Sequence, residues 1–180
     1  MTVSSTVPIL SEDMEYQPEM QIEMTIGRLM PDPMTQMPVV VLVEKDGTRF
    51  LPIWIGTSEA NAIQLQLEQV ETPRPMTHDL LKAVIDDLGG EMERVVVCAL
   101  KENTFYATID IRSPSGVVTI DSRPSDAIAL ATRTGARIFV EESVIQSARG
   151  DGGEDDSVDV GRLMKWLDNL DDEDLGKYKM

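Results

Sequence analysis

The chain has 180 residues, of which 42% are hydrophobic and 27% are charged, as in an ordinary globular domain with a sizeable core. Its formal net charge of −16 argues against nucleic-acid binding through a broad basic stripe. No apolar run approaches the roughly 20 residues that a membrane-spanning helix needs, and residues 1–18 lack the pattern of a signal peptide. With Cys98 as its one cysteine, the sequence predicts a cytoplasmic protein with no intrachain disulfide and no membrane partner.

The negative charge is concentrated at the two ends of the chain. Residues 151–180 carry ten acids and four bases, and residues 1–23 carry five acids and no base. We therefore predict a disordered acidic segment over residues 1–20 and a folded domain over residues 21–147. Residues 148–180 are predicted as a Gly/Asp-rich linker, a short amphipathic helix at 162–170 and an acidic tail.

The elements of the folded domain are predicted from hydrophobic periodicity and turn residues. Strands are predicted at 21–29, 39–43, 48–55, 95–100, 105–112, 117–121 and 137–140. Helices are predicted at 58–69, 77–88 and 125–133. Thr77 and Ser125 have the side chains of N-caps, and Gly135 is placed to end the last helix. Asp46-Gly47 marks the first hairpin, and residues 113–116 mark the second.

A repeat underlies this order, because residues 58–63 match residues 125–130 at an offset of 67. Each segment follows a hairpin and begins a helix with a serine, an acid and an alanine. The sequence therefore predicts an α+β fold with a mixed, strongly curved β-sheet and three helices, built on two β-hairpin–helix repeats.

Three motifs stand in a fixed order along the domain: LPIWIG at 51–56 followed by Glu59-Ala60, RPMTHDLL at 74–81, and DSRPSDAIALA at 121–131. Together they resemble the bifunctional nuclease (BFN) domain family, and the resemblance covers roughly residues 24–145. The resemblance implies nuclease activity on RNA and DNA, an activity attached to the family mainly through plant members. Bacterial members of the family are largely uncharacterised.

Phosphodiester hydrolysis needs an activated water and stabilisation of charge on the phosphate, and a divalent metal held by carboxylates supplies both. Glu59, Asp121 and Asp126 are the candidate metal ligands, since their hard oxygen atoms suit Mg²⁺ or Mn²⁺. The metal is one option for this chemistry, and the sequence does not establish it.

The candidate catalytic and substrate-binding residues lie in the second and third motifs. His78 is a candidate general base, and the arginine forks of Arg74 and Arg123 are candidate phosphate ligands. Asp79, Asp121 and Arg123 complete the predicted catalytic set with His78. These residues form one site only if the fold brings their segments together.

A structural interpretation stands beside the catalytic one. Acids in the first turn of a helix are favourable partners of the helix dipole, which accounts for Glu59 and Asp126 without catalysis. Asp121 and Arg123 are candidates for a salt bridge that locks the turn, and His78 for a hydrogen bond to Asp79 or to backbone. Two hypotheses therefore remain open: a metal-assisted nuclease acting on RNA or DNA, or a non-catalytic binding or regulatory module. We expect a homo-oligomer.

Overall fold

The computed structural model describes residues 20–150, and the elements in this part of the chain follow the predicted order. The described strands are β1 (Gln21–Pro31), β2 (Pro38–Glu44), β3 (Phe50–Trp54), β4 (Glu91–Lys101), β5 (Thr104–Ser113), β6 (Gly116–Ser122) and β7 (Arg137–Glu141). The described helices are α1 (Thr57–Leu67), α2 (Thr77–Asp87), α3 (Pro124–Thr134) and α4 (Glu142–Gly150). The predicted α+β class is confirmed, and the order contains both hairpin–helix units, β2-β3-α1 and β5-β6-α3.

The strands form one mixed sheet in the order β3-β2-β1-β7-β4-β5-β6. Neighbours pair antiparallel except β4 and β7, which are parallel. β7 therefore joins the two halves of the sheet, and each half ends in its own hairpin. Because the sheet stays open, with β3 and β6 at its edges, the predicted strong curvature is wrong.

Helix α3 lies at the centre of the core. It packs on β4, β5 and β7, and α1 and α2 lie against it. The helix has almost no solvent-facing side and is ended by Gly135, which adopts the left-handed conformation that favours glycine. Its buried residues are Pro124, Ser125, Ala127, Ile128, Ala129, Leu130 and Ala131. The prediction of a buried helix at this position is confirmed.

The N-caps of α2 and α3 lie one and two residues before the predicted caps, which changes the roles of the first residues. The N-caps of α2 and α3 are Met76 and Arg123, so the predicted caps Thr77 and Ser125 lie inside the first turn. In α3 the reason is Pro124, whose fixed φ suits the first helical position and whose missing N–H costs the helix nothing there. The Ser125 hydroxyl is therefore not used in capping.

Helix α4 was not predicted, and it raises the number of helices in residues 20–150 from three to four. Its apolar residues Val144, Ile145 and Ala148 join the main core, and the helix packs against β4 and β7. Three apolar residues give too weak a periodicity to predict a helix, and burial supplies the stability that local sequence lacks. None of the helices in the described range combines the length and apolar character needed to span a membrane.

Residues 1–19 and 151–180 lie outside the described residues, and the helix predicted at 162–170 lies there too. The predicted division of the chain into a domain over 21–147 and two end segments stays a prediction. Helix α4 crosses position 147.

Candidate functional site

The two strand-to-helix turns of the repeat lie beside each other, because α1 packs against α3. Both helices have an extended residue at the N-cap, Gly56 in α1 and Arg123 in α3. Both also carry an acid in the first turn, Glu59 in α1 and Asp126 in α3, as predicted. The fold thus brings together two carboxylates that are far apart in the sequence.

Arg123 lies between these two carboxylates and binds both. Its Nη1 is 2.9 Å from Glu59 Oε1, its Nε is 2.7 Å from Asp126 Oδ2, and its Nη2 is 3.1 Å from Asp126 Oδ1. The arginine side chain is nevertheless 65% exposed, so its guanidinium is open to solvent. The predicted salt bridge between Asp121 and Arg123 is therefore wrong, because Glu59 and Asp126 take its place.

His78 joins the same group from α2. Its Nε2 lies 3.1 Å from Asp126 Oδ1, and its side chain is 12% exposed. The partner expected from the sequence was Asp79 or backbone, but the neighbouring helix provides Asp126 instead. Glu59, His78, Arg123 and Asp126 form one connected group, which we call the α1–α3 cluster.

Electrostatics in the α1–α3 cluster favour the ionised forms of Asp126 and Arg123. Burial acts to raise the pKa of Asp126, but hydrogen bonds from Arg123 and His78 outweigh burial and leave this pKa below its ordinary value. Hydrogen bonding to Asp126 likewise raises the pKa of Arg123 above its ordinary range. An ionised Asp126 only accepts hydrogen bonds, so the ring nitrogen of His78 that faces it must be the donor. The other ring nitrogen, Nδ1, is then the proton acceptor of a neutral His78.

Asp79, a predicted catalytic residue, holds the helices together instead of joining the cluster. Its Oδ1 accepts a hydrogen bond from Arg133 Nε at 2.5 Å, and its Oδ2 accepts one from the backbone N–H of Met76 at 2.9 Å. The hydrogen bond from Arg133 holds the pKa of Asp79 below its ordinary value. Both oxygens are thereby occupied by groups that fix the start of α2.

Arg133 is the residue of this region that the sequence analysis missed. Its side chain is 4% exposed and also donates to the carbonyl oxygens of Ala129 and Ala62, so it links α3 with α1 and α2. One signal was available in the sequence: a lone basic residue in the last turn of a helix whose middle is apolar. A buried arginine requires several acceptors, and here the three helices supply them.

The structure does not bring Asp121 or Arg74 to the cluster. Asp121 is exposed on β6 opposite Thr108, and among residues 20–150 no hydrogen bond or ion pair joins it to Glu59, His78 or Asp126. Arg74 is exposed in the connection before α2, and no ion pair of its guanidinium is found in the same range.

The predicted metal ligands therefore do not form a metal site as they stand. Within the described range, no three His, Cys, Asp or Glu side chains are grouped so that they could hold a metal ion. Both oxygens of Asp126 are engaged, and Glu59 shares Arg123 with it. A guanidinium between two carboxylates occupies the position that a cation bound by both would need, so the residues do not fit the metal in this arrangement.

Comparison with known proteins supports the family suggested by the sequence motifs. The model of the bifunctional nuclease domain matches residues 40–151, which include the whole α1–α3 cluster. An uncharacterized protein of Mycobacterium tuberculosis is 44% identical over 123 residues, which cover 68% of this chain and 73% of that protein.

More distant relatives come from plants. Bifunctional nuclease 2 of Oryza sativa subsp. japonica is 27% identical over 124 residues, covering 67% of this chain and 38% of that protein. Bifunctional nuclease 1 of Arabidopsis thaliana is 29% identical over 114 residues, covering 61% of this chain and 35% of that protein. The plant proteins are thus much longer than the region they share with this chain. On the family match and the mycobacterial relative, this chain belongs to the bifunctional nuclease domain family.

Proposed function

We propose that the chain is a nuclease that hydrolyses phosphodiester bonds of RNA and DNA at the α1–α3 cluster. The observation that carries the proposal is the position of Arg123, an exposed guanidinium held in place by Glu59 and Asp126 with His78 beside it. Membership of the family supports the activity, and the plant relatives are named bifunctional nucleases. A cytoplasmic location forms part of the same proposal.

In this mechanism Arg123 binds the phosphate. A guanidinium has five N–H donors, and Glu59 and Asp126 use three of those of Arg123. The remaining two point to no protein acceptor in the described residues, so they are available for the oxygen atoms of a phosphodiester. Because both carboxylates hold the fork, little conformational entropy is lost when the phosphate binds.

His78 acts as the general base. Asp126 accepts the Nε2–H hydrogen bond and thereby orients the ring, so Nδ1 takes a proton from the attacking water. The water oxygen forms a bond to phosphorus, the bond from phosphorus to the leaving oxygen breaks, and that oxygen takes a proton from solvent while His78 returns its proton to solvent. Such a mechanism serves RNA and DNA alike, since it uses water and not the ribose 2′-hydroxyl.

The metal-assisted form of the mechanism requires a different arrangement of the cluster. Glu59 and Asp126 would be the carboxylates that hold Mg²⁺ or Mn²⁺, and Arg123 lies between them. The metal form therefore requires Arg123 to leave both carboxylates, and the metal-free form does not.

An assay on single-stranded RNA and DNA with Mg²⁺, Mn²⁺ or EDTA tests both forms. We expect His78→Gln to lower the cleavage rate about 100-fold or more, the usual contribution of a general base. A matched control is Arg112→Gln, since the exposed Arg112 pairs with Glu93 and has no hydrogen bond or ion pair with the α1–α3 cluster among the described residues. Equal rates in His78→Gln and in the parent would reject the site, and full activity in EDTA would reject the metal form.

A homo-oligomer is the second part of the proposal, and one observation favours it. Helix α2 has no buried residue, and the exposed fractions of Leu80, Val84 and Leu88 are 57%, 44% and 76%. A second copy is a suitable partner because an antiparallel pair of α2 helices centred on Val84 sets Leu80 of one copy opposite Leu88 of the other. This same surface would serve the alternative function, a non-catalytic oligomeric binding or regulatory module.

Light scattering of the protein as it elutes from a size-exclusion column measures the oligomeric state directly. We expect the parent to elute as an oligomer and Leu80→Glu with Leu88→Glu to elute as a monomer, since a charge at a packed apolar contact is costly. Glu68→Gln is a control with an exposed side chain at the C-cap of α1. A parent that is monomeric at all concentrations would contradict the oligomer, and an oligomer without cleavage activity would favour the non-catalytic module.

A further inference from the structure

Beside the α1–α3 cluster lies a pocket of about 360 Å³, formed where three turns meet. These are the end of β3 before α1, the tip of the β4–β5 hairpin, and the turn from β6 into α3. Arg123 belongs both to the pocket and to the cluster, so a ligand in the pocket reaches the proposed site of cleavage. Ligand pockets typically measure about 300–1,000 Å³, and this one lies at the small end of that range.

One end of the pocket is suited to an anion. Ser125 is 7% exposed and lines the pocket, yet its hydroxyl has no hydrogen-bond partner within residues 20–150. Its backbone N–H is the first of α3, because Pro124 has none, and it too has no protein acceptor in that range. No fully buried side-chain nitrogen or oxygen in the described residues lacks a hydrogen-bond partner, so the Ser125 hydroxyl opens into the pocket and is free to bind a ligand there. With Arg123 beside it, Ser125 provides a cradle for a phosphate at the positive end of a helix.

The other end of the pocket is apolar. Ile53, Ile55 and the half-buried ring of Phe105 line it, and the hairpin tip closes over it with Asn103. Asn103 adopts a left-handed conformation with φ of 57°, which asparagine tolerates better than most residues and which a tight hairpin requires. A flat aromatic ring is the kind of ligand group that fits this end. The exposed side-chain amide of Asn103 offers it a hydrogen-bond donor and acceptor at the rim of the pocket.

We propose that this pocket binds a single unpaired nucleotide, with its phosphate on Arg123 and Ser125 and its base against Phe105. This inference rests on the proposed nuclease function and deepens it, because it names the part of the substrate that the enzyme holds. A base that lies against Phe105 has left the stacking and pairing of a duplex, which costs least in a single strand. Single strands and frayed ends are therefore the substrates that place a phosphodiester at the α1–α3 cluster.

Calorimetric titration of the full chain with AMP, adenosine and inorganic phosphate tests the pocket without any turnover. We expect AMP to bind at least tenfold more tightly than adenosine or phosphate, because only AMP fills both ends. Phe105→Leu should weaken AMP about tenfold, as loss of one base–aromatic contact does. Ser125→Ala should weaken AMP and phosphate alike. Tyr106→Leu and Ser115→Ala are matched controls on residues that do not line the pocket, and circular dichroism checks that each variant is folded.

Binding of AMP no tighter than that of phosphate would overturn the inference, and so would AMP affinity unchanged in both Phe105→Leu and Ser125→Ala. The result is separable from the fate of the nuclease proposal. Selective AMP binding by a protein that cleaves neither RNA nor DNA keeps the nucleotide site and removes the nuclease. Cleavage without selective AMP binding keeps the nuclease and removes the nucleotide site.

Discussion

The two strand-to-helix turns share a backbone and differ in chemistry. Gly56 and Arg123 hold the same N-cap position with similar dihedral angles, φ −72° and ψ 159° for the first, φ −68° and ψ 142° for the second. At Gly56 a Cβ would lie 2.2 Å from Glu59 Oε2, so glycine leaves room for that carboxylate. At Arg123 a long cation occupies the corresponding position and binds the acids of both turns. The first unit thus leaves space for the Glu59 carboxylate, and the second unit places a cation at the equivalent position.

The comparison continues along the helices. The offset of 67 aligns Gln66 of α1 with Arg133 of α3, and of the two only Arg133 binds both neighbouring helices, α1 at Ala62 and α2 at Asp79. Ser58 is exposed, whereas the equivalent Ser125 is buried beside the pocket. The second unit therefore carries the charged and polar groups that both the core and the proposed site depend on. Substitutions that remove these differences one at a time test which of them affect cleavage or stability.

The largest effect is expected from Arg123→Gln, which removes the distinguishing cation. We expect the cleavage rate to fall about 100- to 1,000-fold, the usual loss when a preorganised donor to transition-state charge is removed. Cleavage of single-stranded RNA at fixed enzyme concentration measures it, with Arg112→Gln as the control. A rate within threefold of the parent would mean that Arg123 serves the fold alone.

Arg133→Gln gives α3 the residue that α1 has at the same position. It removes the partner of Asp79 and the hydrogen bonds to Ala129 and Ala62, so we expect a loss of about 3 kcal/mol in the free energy of unfolding. Urea denaturation measures the loss. The exposed ion pair of Lys82 with Asp86 is the reference, and Lys82→Gln should cost less than about 1 kcal/mol.

Acid should weaken the second unit through Asp126, since its pKa is lowered in the folded protein. Stability from a lowered carboxyl pKa is fully present above the unfolded value near 4, and it disappears as pH falls through the folded value. The unfolding temperature of the parent should therefore drop below about pH 4 more steeply than that of Asp126→Asn. Thermal melts from pH 6 to pH 2.5 measure this, and parallel curves for the two proteins would contradict the ionised Asp126.

The smallest effect is expected from Gly56→Ala, which makes the first turn slightly more like the second. The added methyl group displaces the Glu59 carboxylate, so Arg123 is held by Asp126 alone. Cleavage should fall only a few-fold, because one of two orienting contacts remains. Glycine is not required by the backbone here, as its φ of −72° suits alanine. Unchanged activity would show that Asp126 alone positions the arginine.

Much of the fold could be predicted because it depends on local sequence patterns. The Asp46-Gly47 turn, the Gly135 helix end and the apolar run of α3 all depend on residues near each other in sequence. Helix α4 could not be predicted, since it is stabilised by burial against β4 and β7 and its local sequence has only a weak apolar periodicity. Asp121 was assigned to the site because it precedes Arg123 by two residues. Its place in β6, paired with Thr108, leaves it exposed on the strand instead.

By itself the sequence determined the repeat, the family motifs, which acids begin helices and every described element except α4, because these follow from spacing along the chain. The tertiary structure decided which charges meet. Glu59 binds Arg123, His78 binds Asp126 and Asp79 binds Arg133, in each case across 48 or more residues. Such pairings depend on how α1, α2 and α3 pack on one another. That packing is fixed by burial of their apolar faces together, and no local pattern encodes the distances that result.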